Sequence, residues 1–304
     1  MATIFLSQLT LGILGNSVLL YHFIRADFIG DRAKPTDLIV KHLTWANLIV
    51  ILFKGIPQTI MAFGLISFLD DIFCKVVSYF NRIARGVSLS STSLLSVIQA
   101  ITISPSNSRL VQLKVRAFKV IGPALGLCWA LHMLVNFFIP MKVTNILDAR
   151  NHTRFADSVN CAVVGPPSQI QIVYSVLLSS IDVICLGFIM WASGFMVLML
   201  WKHKQRVQHI HSALCPSSSP ETRATQSILA LVSSFVLFYV TSVILNLCFP
   251  YFHIASKWLI NANGAMTACF PAFCPFLLIR QYATVPMFCC KSKANHGPCL
   301  NREL

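Results

Sequence analysis

Seven long apolar stretches, separated by shorter polar or charged connectors, set the terms for anything this chain can fold into. They cover about residues 4–24, 38–63, 73–103, 118–140, 172–201, 225–250 and 258–279. A helix needs about 20 mostly apolar residues to cross the hydrocarbon of a bilayer. A helix also satisfies its own backbone N–H and C=O groups, which lipid cannot do. Charged residues make up 11% of the chain and hydrophobic residues 56%, where a soluble domain carries about 25% charged residues. So little charge cannot cover a water-facing globule. The expected fold is an all-α, seven-transmembrane-helix bundle in one domain spanning residues 1–304, with residues 280–304 as a tail. The first stretch starts almost at Met1, has no Lys or Arg before it and no small-residue cleavage site, and so reads as a spanning helix rather than a removed signal peptide.

The formal net charge is +14. In a soluble protein such a charge points first to nucleic acid. Here the cations sit in connectors, and they sort by side. Arg25, Arg32 and Lys34 follow the first run. Arg109, Lys114, Arg116 and Lys119 follow the third, and Lys202, Lys204, Arg206 and Arg223 the fifth. Arg280, Lys291, Lys293 and Arg302 close the chain, against Lys142, Arg150, Arg154 and Lys257 on the opposite side. Cytoplasmic connectors collect Lys and Arg, so the amino terminus is outside and the tail is cytoplasmic. An odd number of spans satisfies both. The sequon Asn151-His152-Thr153 falls in the segment this topology places outside, as an N-glycosylation acceptor must. Cys74 opens the third run on the outer side and Cys161 lies in the long outer connector, so the two are expected to form a disulfide.

Charges inside spans are costly and default to function. Lys54 lies in the second run, Arg82 and Arg85 in the third and Asp182 in the fifth. Arg82 and Arg85 are three residues apart and share a helix face. Lys54, Arg82 and Asp182 come out at similar depth, roughly 13 to 15 Å from the outer end of their helices. One reading makes these groups the lining of a ligand cavity that favours an acceptor or a negative charge. The other makes them an internal ion pair, such as Asp182 with Arg85, that only fixes packing.

Ser88, Ser90, Ser91, Thr92, Ser93 and Ser96 form a small, hydroxyl-bearing stretch suited to close helix approach. Pro271 and Pro275 remove backbone donors from the seventh run and kink it. Cys289 and Cys290 follow that run beside Lys291 and Lys293, a juxtamembrane setting for S-palmitoylation, with unmodified thiols as the alternative. The basic connector starting at Lys202 suits anionic lipid or an acidic partner. The 11 cysteines include no CxxC pair, and no Cys/His cluster has zinc-site spacing. No Walker motif, HExxH, G-x-S-x-G or carboxylate pair is present. The chain therefore reads as a non-enzyme with no cofactor or metal.

The sequence resembles the vomeronasal type-1 receptors, seven-helix pheromone receptors that couple to G proteins. The most specific match is Arg85-Gly86-Val87-Ser88 running on to Leu94-Leu95-Ser96-Val97-Ile98-Gln99-Ala100-Ile101-Thr102-Ile103-Ser104-Pro105. Lys41-His42-Leu43 with Ala46-Asn47, Leu14-Gly15-Asn16, Phe53-Lys54-Gly55-Ile56-Pro57, and Phe270-Pro271 with Pro275-Phe276 are similar to the family's pattern. The Asp-Arg-Tyr of rhodopsin-like receptors is absent. Gln99-Ala100-Ile101-Thr102 stands there, as the resemblance leads one to expect, and Cys274 stands where the family often has serine. The resemblance implies a rhodopsin-like architecture in the plasma membrane. It also implies a small organic ligand bound among the helices from outside and an inhibitory-type heterotrimeric G protein inside. The alternatives are a small transporter, which would show an internal repeat and acid-lined spans, and a folded receptor that has lost signalling.

The topology is checked by tags and glycosidase. A carboxyl-terminal epitope is expected to need membrane permeabilisation for staining, and Asn151→Gln to remove an endoglycosidase-sensitive shift. A tag on the same side as Asn151 would overturn the seven-span reading.

Overall fold

The computed structural model describes residues 1–30, 35–64, 71–104, 108–145, 153–156, 161–164, 169–210, 229–230, 232–242, 244 and 257–283. Asn151, Cys289 and Cys290 lie outside the described residues. The helices are α1 (Ala2–Ile29), α2 (Pro35–Val50), α3 (Ile56–Ala62), α4 (Asp71–Ile103), α5 (Ser108–Val135), a single turn α6 (Ile139–Lys142), α7 (Gln169–Ile210), α8 (Val232–Ser242) and α9 (Lys257–Ala283). Six spans among the described residues are long and apolar enough to cross a membrane, and α8 is a shorter apolar helix within the sixth run. Large apolar side chains such as Tyr21, Leu127, Leu134, Phe188 and Trp191 stand exposed on the outside of the bundle. A soluble monomer rarely shows apolar surface on that scale, and lipid is the solvent that fits it.

Several helices outrun their apolar stretches. α1 continues past residue 24 to Ile29. α5 begins at Ser108, ten residues before the apolar run, and ends at Val135 rather than at Pro140. The chain turns through residues 136–138, and α6 restarts it at Ile139 with Pro140 in its first turn, where a missing N–H costs nothing. α7 has 42 residues and continues through Lys202 to Ile210. At 1.5 Å per residue that is about 63 Å, roughly twice the hydrocarbon thickness, so its basic end projects beyond the bilayer. Hydropathy marks where lipid begins and ends, whereas a helix stops only when its backbone geometry does.

The second run is not one helix. Residues Ile51–Gly55 form a π-turn between α2 and α3, with the Ile56 N–H donating to the Ile51 carbonyl. Pro57 explains it. Proline lacks an N–H and its ring clashes with the carbonyl four residues back, here that of Phe53. A single wide turn absorbs the clash without breaking the span.

α4 is the central pillar, packing against α2, α5, α6, α7 and β1. Its hydroxyl stretch is deeply buried. Thr92 and Ser96 donate to the carbonyls of Ser88 and Thr92 at 2.8 Å, and Ser88 donates across to Asn47 Oδ1 of α2 at 3.0 Å. Small side chains that bond to their own helix let α2 and α4 approach closely. The Lys41-His42 pair ties α2 in two directions. Lys41 pairs with Asp27 of α1, and His42 Nδ1 accepts from Trp129 Nε1 of α5 at 3.0 Å.

α1 packs on α9, and the contact turns on one carbonyl. Pro275 has no N–H to give Pro271, four residues back. Asn16 Nδ2 donates to that Pro271 oxygen at 2.9 Å and to the Gly12 oxygen at 2.8 Å. Gly15 makes room, since a Cβ there would lie 2.7 Å from Pro275 Cγ. Leu14-Gly15-Asn16 and Phe270-Pro271 with Pro275 are thus two halves of one joint.

The outer connector after the fourth run, a polar segment in the sequence, carries a three-stranded antiparallel sheet. Its order is β1 (Val143–Asn145), β3 (Cys161–Val164), β2 (Thr153–Ala156). Residue 145 pairs with Cys161. Cys161 is joined to Cys74 near the outer end of α4, with 5.6 Å between their Cα atoms. Val77, Ile139 and Val143 bury the bond. The sheet is thereby pinned over the top of the central helix.

Asn16→Leu is expected to leave the buried Pro271 carbonyl unpaired, at a cost of about 1–3 kcal/mol. Thermal unfolding of the purified protein should show a midpoint several degrees lower. An unchanged midpoint would mean that the joint contributes nothing.

Candidate ligand site among the helices

The cavity that matters is built from five elements. α2, the π-turn, α4, α8 and α9 line a partly open cavity. Its walls are mostly apolar: Val50, Phe235, Phe238, Met266 and Phe270 among others. Two cations stand in this lining, Lys54 and Arg85, and no carboxylate is among its described residues. Such a cavity, largely apolar with a few convergent polar groups, is the usual form of a small-molecule site.

Lys54 sits in the π-turn and is 8% exposed. The widened turn at Pro57 therefore also settles where this ammonium lies. Arg85 lies on α4, about four turns below the outer end of that helix. Asn81, Arg85 and Ser88 all line the cavity, the i, i+4, i+7 stripe of one helical face. Arg82 does not join them. It is exposed and absent from the lining, which corrects the sequence expectation. One residue past Asn81 is 100° around the helix. A spacing of three put Arg82 and Arg85 on one face by sequence, yet they stand about 60° apart around the helix, and packing decided which of them looks inward.

Asp182 is not in the lining either. The Tyr239 hydroxyl donates to Asp182 Oδ2 at 2.5 Å, and the Arg85 guanidinium carbon lies 5.1 Å from the Tyr239 ring centroid. Arg85 and Asp182 thus meet through Tyr239 instead of pairing directly. The arrangement combines a charge-assisted hydrogen bond with a cation–π contact. Its effect is to hold α4, α7 and α8 in register and to turn the carboxylate away from the cavity, while Arg85 stays on the wall. The two sequence readings, ligand lining and internal packing, divide between these residues.

Phe235 closes the side of the cavity. Its ring stacks on Tyr239 at 5.8 Å and meets Phe270 of α9 edge-on at 4.5 Å. Ser242 donates to Asn263 Oδ1 at 3.0 Å, a second α8–α9 tie. Tyr239, Asn81 and Phe235 were not singled out from the sequence. Tyr239 was findable, as a hydroxyl-bearing aromatic within a span. Asn81 was too, as an amide one helical turn from Arg85. Phe235 carries no such signal among 22 phenylalanines.

A family model described as the vomeronasal organ pheromone receptor family matches residues 1–291. The chain belongs to this family. Vomeronasal type-1 receptor 3 of Homo sapiens is 47% identical over 293 residues, covering 94% of this chain and 93% of the relative. Vomeronasal type-1 receptor 4 of Pongo pygmaeus is 46% identical over 288 residues, 93% of this chain and 95% of the relative. The similarity reaches olfactory receptor class A-like protein 1 of Danio rerio, 30% identical over 279 residues, 90% of this chain and 87% of the relative. As a vomeronasal type-1 receptor family member, the chain is a multi-pass membrane protein and a chemosensory G-protein-coupled receptor, not an enzyme.

Tyr239→Phe removes the hydroxyl and leaves the Asp182 carboxylate without that donor. A hydrogen bond to a charged group contributes about 1.5–3 kcal/mol. The expected outcome is a lower unfolding midpoint and reduced surface expression, and an unaltered midpoint would show that the bond carries no stability.

Proposed function

We propose that this receptor binds a small organic ligand with an apolar body and an acidic or acceptor-bearing head, in the cavity between α2, α4, α8 and α9. The ligand enters from outside, and binding activates an inhibitory-type heterotrimeric G protein at the cytoplasmic face of the plasma membrane. One observation carries the reading: Lys54 and Arg85 stand in an otherwise mostly apolar lining, with Asp182 outside it and engaged by Tyr239. Inside a low-dielectric wall, a cation attracts a ligand anion far more strongly than in water.

A ligand shifts a two-state receptor only by its differential affinity for the two states. The aromatic contacts of Phe235 with Phe270 join α8 to α9 beside the cavity. Occupancy there bears on how these helices sit against α4, and so on the basic inner end of α7. That end, with its run of Lys and Arg from Lys202, meets anionic lipid or the G protein. Asn151 carries a glycan, and Cys289 and Cys290 carry palmitoyl chains that hold the tail to the membrane.

The test uses the purified receptor in lipid with an inhibitory-type G protein and a panel of odorant and steroid-like compounds, acidic members included. Acidic ligands are expected to accelerate nucleotide exchange. Arg85→Met or Lys54→Met should weaken that response roughly ten- to a hundredfold, the equivalent of a lost charge-assisted bond, while surface expression persists. Loss of expression without a selective loss of response would assign these cations to packing.

A further inference from the structure

A second, smaller cavity adjoins the first, and Val50 and Lys54 belong to the walls of both. It lies between α1, the π-turn, α3 and α9, and its polar walls are Gln8, Lys54 and Gln58. Gln58 is the unusual member. It is 2% exposed, and neither its Nε2 nor its Oε1 has a hydrogen-bond partner among the described residues. Among the described residues Gln8 Oε1 is also without a partner, although Gln8 Nε2 donates to the Ala265 carbonyl at 3.2 Å and to Cys269 Sγ at 3.1 Å. A buried amide with nothing to bond destabilises a fold, and an apolar residue of the same shape would remove that cost. The opposite helix is cut back to admit it. A Cβ on Gly264 would lie 1.7 Å from Gln58 Nε2, so α9 carries at this point a residue that weakens helices.

Lys54 and Gln58 are four residues apart and both face this chamber. We propose that the chamber is a subsite of the ligand pocket that takes a hydroxyl group standing close to the ligand's acidic head. Lys54, at the junction of the two cavities, holds the acid. The hydroxyl accepts from Gln58 Nε2 and donates to the unpartnered oxygen of Gln58 or Gln8. The subsite rests on the reading of an acidic ligand given above, and it adds hydroxy acids as the preferred class and Gln58 as the residue that selects them. Unpaired polar atoms in the subsite are then the trade of stability for specificity that binding sites make. A site built to bond a hydroxyl rejects the analogue that lacks it.

The experiment uses the full chain purified into lipid nanodiscs and two probes, decanoate and 3-hydroxydecanoate. Affinities are read from the concentration dependence of the unfolding midpoint. On the wild type, 3-hydroxydecanoate is expected to bind about tenfold tighter than decanoate. In Gln58→Leu the ratio falls to about one while decanoate binding holds, and in Arg85→Met both acids weaken together. Equal affinities on the wild type, or a preference that survives Gln58→Leu, would overturn the subsite and leave the acidic-ligand reading standing. Failure of both acids to bind the wild type would remove both proposals. Without any probe, Gln58→Leu is expected to raise the midpoint by a few degrees, because it deletes an unpaired amide. A lower midpoint would make the amide a structural member and overturn the subsite. Gln58→Met, which keeps the length without the amide, serves the same comparisons should the leucine variant fail to fold.

Discussion

In hydrocarbon a backbone carbonyl that loses its donor has no water to turn to. Much of this bundle is organised by that constraint. Pro275 orphans the Pro271 carbonyl, and Asn16 reaches across from α1 to satisfy it. The helix pair closes around this bond, and Gly15 allows the approach. Pro57 creates the same problem in the second span and meets it differently, by widening one turn instead of recruiting a neighbour. In both places a proline decides how a span's backbone groups are satisfied and what the span touches.

The widened turn before Pro57 matters to the site because Lys54 sits within it and lines both cavities. The position of the ammonium is a by-product of a backbone repair. On the other wall, Arg85 is held by its contact with Tyr239, which is itself bonded to Asp182. A direct Arg85–Asp182 pair would neutralise the guanidinium and close the cavity to anions. Routing the interaction through a tyrosine lets the same charges brace three helices and still leave a cation on the wall. The disulfide plays an analogous part at the outer surface, pinning a small sheet to the top of α4 through bonds that survive outside the cell.

Much of the architecture was legible in the residue order because lipid imposes a coarse rule. A run of apolar residues long enough to span must be a helix, and its flanking cations sort to the cytoplasmic side. The Cys74–Cys161 bond was legible for a related reason, since few cysteines face the oxidising side. The three-stranded sheet was not, because strands of three or four residues carry little periodicity and are fixed by pairing with each other. Helix ends were also unreadable from hydropathy, as α5 and α7 run well beyond the bilayer.

What the sequence alone determined is the solvent, the helical spans it calls for, and the presence of costly charges within them. All of these follow from composition along the chain. What only the tertiary structure decided is which charges face one another. It turned Arg82 outward and Arg85 inward, gave Asp182 to Tyr239, and left Gln58 buried against Gly264 without a partner among the described residues. The reason is geometric. Helical spacing restricts a side chain to a face, but only the packing of neighbouring helices says whether that face meets lipid, a partner or a cavity.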